Sequence, residues 1–106
     1  MKATKDKIND THLLTETIED LANVGLDITD IQFISLGDSV ITTDINELFD
    51  VWYYSGYGSA EVPNFKLVGK GWWLERGEYD GSEWWEFKRP PKKPEHETPF
   101  RIILDS

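Results

Sequence analysis

The sequence predicts an α+β domain, with one N-terminal helix packed on a mainly antiparallel sheet of five to six strands built from hairpins. Three observations carry this reading. Apolar residues between Thr11 and Asn23 recur at helical spacing. Beyond residue 30 they gather instead in short β-branched and aromatic runs, punctuated by Gly37-Asp38, Gly69-Lys70-Gly71 and Asp80-Gly81. Strands follow a lone helix without the βαβ alternation that builds a parallel sheet. With 106 residues the chain forms one domain over 1–106.

Residues 1–9 read as a flexible, mixed-charge arm. The helix runs from about Thr11 to Asn23, with Asp10 or Thr11 as N-cap and Gly25 as the left-handed stop. Leu14, Ile18, Leu21 and Ala22 form its apolar stripe with Leu13 beside it, while Glu16, Glu19, Asp20 and Asn23 face away. Ile31–Leu36 and Ser39–Thr42 make a first hairpin around Gly37-Asp38. Asp44–Asp50 reads as one or two helical turns capped by Thr42 or Thr43. Val51–Tyr54 has β character, and Ser55–Ser59 is a glycine-rich connection. Asn64–Val68, after Pro63, is the next strand.

Gly71–Lys88 carries four of the five tryptophans. A two-residue loop at Asp80-Gly81 suits a tight hairpin, since both residues accept positive φ. It pairs Tyr79 with Ser82, Arg76 with Trp85, Leu74 with Phe87 and Trp72 with Arg89. Alternation then puts Trp72, Leu74, Trp85 and Phe87 on one face. A slip of one residue would set Leu74 against Glu86 and spoil that face. The other face carries Trp73, Glu75, Trp84 and Glu86, with the two glutamates directly opposed. Two tryptophans beside unneutralised carboxylates are a candidate binding surface, joined by Tyr57 from the glycine-rich connection. Alternatively the face is covered by another element or half-exposed, because large aromatics pack well in sheets.

The stretch 89–99 holds four of the five prolines and is expected to be an irregular loop. Phe100–Leu104 then returns as a final strand.

The net charge of −9 is unevenly spread. Residues 8–65 contain no Lys or Arg, yet hold Asp10, Glu16, Glu19, Asp20, Asp27, Asp30, Asp38, Asp44, Glu47, Asp50 and Glu61. A broad negative surface repels nucleic acid and anionic membranes and attracts basic proteins. There is no cysteine, no apolar leader and no apolar run of spanning length, which reads as a cytoplasmic protein.

No catalytic constellation is visible. His12 and His96 lack metal-ligand spacing, no G-x-S-x-G occurs, and neither Gly-x-Gly opens a phosphate loop. The sequence therefore predicts a non-enzyme without cofactor or metal. It would place its acidic residues Glu16, Glu19, Asp20, Asp27, Asp30, Asp38, Asp44, Glu47 and Asp50 on a basic, nucleic-acid-binding surface of a partner protein. Anti-restriction and anti-CRISPR inhibitors work by such mimicry of DNA. The alternatives are a nuclease-toxin immunity protein, which uses the same physics, or a small carbohydrate-binding module using Trp73, Trp84, Glu75, Glu86 and Tyr57.

Overall fold

The computed structural model describes residues 1–54 and 59–103. Their order is β1 (Asp10–His12), α1 (Leu13–Asn23), a 3₁₀ turn (Ile28–Asp30), β2 (Ile31–Leu36), β3 (Ser39–Ile41), α2 (Ile45–Leu48), β4 (Trp52–Tyr54), β5 (Phe65–Gly69), β6 (Trp72–Tyr79) and β7 (Ser82–Lys88). The class is α+β. Five strands form one antiparallel sheet in the order β3-β2-β5-β6-β7, and β1 pairs with β4 in a separate two-stranded ribbon.

The tryptophan hairpin has the register that alternation requires. Tyr79 faces Ser82, Arg76 faces Trp85, Leu74 faces Phe87 and Glu75 faces Glu86. Asp80 and Gly81 both take positive φ, 52° and 86°, as a tight two-residue turn demands. In the first hairpin Leu36 pairs with Ser39, and Gly37 at φ 58° supplies the reversal. One face of the large sheet therefore presents Ile34, Phe65, Leu67, Trp72, Leu74 and Trp85 to the core. Leu13 and Leu21 of α1, together with Phe49 and Tyr53, close over it. Phe49 stacks 5.9 Å from Trp85 and lies 5.4 Å from Phe65.

The helix differs from its sequence pattern in two ways. It starts at Leu13 rather than Thr11, because Asp10–His12 pair with Trp52–Tyr54 as a strand. Its N-cap is His12, which makes no side-chain cap. Asp10 does not cap because its carboxylate is turned inward, where it accepts from Lys2 Nζ at 2.7 Å and from the amides of Asp6 and Lys7. The Lys2 hydrogen bond, helped by those amides, holds the Asp10 pKa down to about 2 despite burial.

The buried line of the helix is Leu13, Thr17 and Leu21, at spacing four, while Ile18 is 41% exposed and Ala22 also faces solvent. Thr17 is buried because its hydroxyl is satisfied twice. It donates to the Leu13 carbonyl at 2.7 Å and accepts from Trp85 Nε1 at 2.9 Å. At the other end Gly25 takes φ 78°, the expected stop.

Residues 1–9, expected as an arm, touch the domain at their start: Lys2 forms a β-bridge with Trp52, and the Met1 ammonium lies 3.2 Å from Glu61. Two further expectations are corrected. Asp44, not Thr42 or Thr43, caps α2 by accepting from the Asn46 amide. Phe100–Ile103 do not return as a strand. They are exposed, without regular structure, and among the described residues no hydrogen bond links 90–103 to the domain. Four prolines hold 89–99 extended and deny it backbone donors, so the segment projects. The molecule is accordingly 60 Å along its longest axis. Its radius of gyration is 18.0 Å, against about 13 Å for a compact chain of this length.

Candidate interaction surface

The acidic residues of 8–65 divide into those the fold consumes and those it leaves outside. Glu16 belongs to the first group, contrary to its placement on the solvent side of the helix. It accepts from the Tyr53 hydroxyl at 2.8 Å and from Arg76 Nη1 at 3.2 Å. Arg76, whose side chain is 3% exposed, also reaches Glu83 Oε1 at 3.0 Å. Its guanidinium sits 4.6 Å over the Trp85 ring and 5.4 Å over that of Tyr53. Glu83 in turn accepts from the amides of Glu61 and Val62, which anchors the chain as it enters β5. Glu61 accepts from the Tyr54 amide at 2.6 Å.

Burial is the largest influence on Glu16 and pushes its pKa up, although Tyr53 and Arg76 favour the charged form. Burial also opposes the Arg76 charge. The hydrogen bonds and charges of Tyr53, Glu16 and Glu83 outweigh it, and the Arg76 pKa rises. This network is structural: it lets one helix and two sheets meet across buried charge.

The second group is Glu19, Asp20, Asp27, Asp30, Asp38, Asp44 and Glu47. Asp20 is half-buried and the other six are exposed. None makes an ion pair with Lys or Arg among the described residues. Burial raises the Asp20 pKa against the opposing charge of Arg76, and the neighbouring Glu19 adds to the rise. Asp27 and Asp30 form a reciprocal capping box on the 3₁₀ turn, and the Thr29 hydroxyl and amide hold the Asp27 pKa down. Asp50 lies 2.8 Å from His12 Nε2, which makes it the least free of the exposed acids. Along the chain these carboxylates belong to α1, the 3₁₀ turn, the β2–β3 turn and the region of α2.

The aromatic face proposed from the hairpin alternation is half-exposed. Trp84 is 37% exposed, and its indole lies across Gly77, where an added Cβ would come within 2.6 Å of Nε1. Trp73 Nε1 and Trp84 Nε1 donate to Glu75 and Glu86 respectively, each at 3.3 Å. The two glutamates are not unneutralised, because Lys88 Nζ stands 3.8 Å from both. Phe33 and Val68 continue the row from Trp73 across the sheet.

A cleft of about 550 Å³ opens nearby, lined by Ser35, Gly37, Asn64, Phe65, Lys66, Glu75 and Arg76. It includes Glu75 but neither tryptophan, so stacking rings and concavity do not coincide as a sugar site requires. Tyr57 lies outside the described residues. Among the described residues no group of three or more His, Asp or Glu is placed to hold a metal ion. No helix is long and apolar enough to cross a membrane.

Sequence reasoning missed Arg76, Glu83, Tyr53, Thr17 and Lys88. For Arg76 and Glu83 the signal was present: β alternation places both on the core face with Leu74 and Trp85. No protein-family model matches the chain, nor does any curated protein or any solved structure.

Proposed function

We propose that this is a non-catalytic interaction protein whose acidic surface occupies a basic, nucleic-acid-binding site on a partner protein. It would act as an inhibitor of the nucleic-acid-mimic type. One observation carries the reading: seven carboxylates between residues 19 and 47 form no ion pair with Lys or Arg among the described residues, although Asp20 feels the nearby charge of Arg76. Several cations of the chain are engaged or placed elsewhere, while Lys66 and Lys70 are exposed and pair with none of these carboxylates. Arg76 is enclosed by Glu16 and Glu83, and Lys88 stands between Glu75 and Glu86. Arg89, Lys92, Lys93 and Arg101 lie on the projecting segment. An array of fixed carboxylates meets the same Lys and Arg side chains that contact phosphates, and long-range attraction speeds the encounter. Glu16 leaves the proposed contact set, and Glu19, Asp20, Asp27, Asp30, Asp38, Asp44 and Glu47 are its centre.

The test is capture of partners from lysate at low and high salt, followed by competition with duplex DNA. A basic nucleic-acid-binding protein, retained at low salt and displaced by DNA, is the expected outcome. Charge reversal at Glu19, Asp20 and Glu47 together should weaken that association at least ~10-fold, since each change sets like charges face to face. Association that ignores both salt and the triple variant would exclude the reading.

A further inference from the structure

We propose that the segment Pro99–Ile103 of one copy adds as a strand to the free edge of β7 in a second copy, and that reciprocal exchange closes a dimer. The inference stands apart from the acidic-surface reading and uses a different part of the molecule.

The recipient is the edge of the large sheet. β7 spans Ser82–Lys88, and among the described residues no strand pairs with the outer side of its Trp84–Lys88 part. The opposite edge, β3, is only three residues long. An open edge of five residues, Trp84–Lys88, offers backbone groups that an extended peptide of the same length can complete.

The donor is the segment that follows. Phe100, Ile102 and Ile103 are 87%, 69% and 87% exposed, in a chain with no regular structure. Apolar side chains with strand alternation, held in water, form the complement of an open edge.

Why a second copy takes this strand, and not the chain's own edge, follows from the spacer. Residues 89–99 include Pro90, Pro91, Pro94 and Pro99. Proline favours the extended polyproline form at about 3.1 Å per residue, so the spacer carries Phe100 up to roughly 34 Å from Lys88. A return onto the same β7 needs a reversal that this stretch resists. The 60 Å long axis of the molecule is the result.

Charge selects the same partner. The described part of the segment carries Arg89, Lys92, Lys93 and Arg101 against Glu95 and Glu97, whereas the domain before it is strongly negative. A basic protein would repel this arm, and another acidic domain attracts it. Strand addition also has a favoured phase. With Phe100 and Ile102 beside Trp85 and Phe87, Arg101 falls on the outer face beside Glu86. Reciprocal exchange then covers both arms and both edges, whereas one-way addition would leave a free edge and run on into a filament.

Sedimentation velocity over a wide concentration range tests this, with amide hydrogen exchange read at Trp84–Lys88. The wild-type chain should dimerise reversibly, and edge amides of β7 should exchange at least ~10-fold more slowly in the dimer. The double variant Phe100→Asp, Ile102→Asp should be monomeric at every concentration, with the circular dichroism and melting of the wild-type chain at dilutions where that chain is itself monomeric, since both side chains are exposed in the isolated domain. A wild-type chain that stays monomeric at every concentration overturns the proposal. So does a dimer that survives the double variant, or one in which β7 exchanges at the monomer rate.

Discussion

The two faces of the β6–β7 hairpin hold the same ingredients, tryptophan beside charge, and treat them in opposite ways. On the core face Arg76 is 3% exposed and is bracketed by Glu16, Glu83, Tyr53 and the ring of Trp85. On the outer face Lys88 is 44% exposed and stands 3.8 Å from each of Glu75 and Glu86. Each cation serves two carboxylates, but solvent decides what the arrangement is worth. Inside, a charge stripped of water must find its complement in the protein, and every missing partner is costly. Outside, water finishes what geometry leaves undone, and the same pairing is nearly neutral. The interior charges therefore define the fold, and the exterior ones are free to serve recognition.

Breaking the inner cluster is the largest effect expected. Arg76→Met keeps much of the side-chain volume but leaves Glu16 and Glu83 buried without a cation. Loss of one partner from a buried ion pair costs about 3–5 kcal/mol, a large part of the stability of a domain this size. Urea melts should show this loss. Adding Glu16→Gln and Glu83→Gln to the same variant should recover part of it, because the stranded carboxylates are then gone.

The comparison also marks where the sequence is readable. The hairpin register was legible because turn chemistry at Asp80-Gly81 and two-residue alternation agree, and only one register keeps Leu74 opposite Phe87. That Arg76 faces the core followed from the same alternation. Its partner Glu16 did not, since it arrives from a helix 60 residues away. The helical pattern alone put Leu13, Leu14 and Leu21 against the core, as they are, but also Ile18 and Ala22, which are exposed. Thr17 is polar by type and becomes interior only because Trp85 Nε1 needs an acceptor. Asp10–His12 looked like a helix start for the same reason: nothing local announces the long-range pairing with Trp52–Tyr54. At Phe100–Ile103 the pattern says strand, but a strand requires an edge within reach, and the prolines withhold the chain's own. Among the acids, composition could not say which are enclosed: burial and Arg76 take Glu16 into the interior network.

Glycines give a second and smaller way to separate the faces. Gly69 lies directly across from Trp72 on the core side, and an added Cβ would fall 2.2 Å from that ring. Gly77 lies across from Trp84 on the outer side, where the nearest atom would be 2.6 Å away. Trp72 is enclosed and has nowhere to go, so Gly69→Ala should cost about 1–3 kcal/mol, as overpacking does. Trp84 can swing into solvent, so Gly77→Ala should cost less than ~1 kcal/mol. The second variant should also shift tryptophan emission to the red, as an indole lifted off the sheet becomes wetter. Equal losses from both glycines would mean that the outer ring is as confined as the inner one.

The smallest effect expected is at Lys88. Lys88→Gln removes the cation between Glu75 and Glu86 and leaves two like charges opposed across the strands, which is mildly unfavourable. Exposed pairs of this kind contribute about 0–1 kcal/mol, and screening over a Debye length of about 8 Å at physiological salt trims even that. The loss should therefore shrink as sodium chloride is raised, whereas the loss at Arg76 should shrink far less, because Glu83 is enclosed and Glu16 largely so. Salt dependence, more than the size of either loss, separates the two environments. If Lys88→Gln proved as costly as Arg76→Met and as indifferent to salt, the outer face would be a covered interior. Trp73, Trp84 and their glutamates would then belong to the core rather than to a surface.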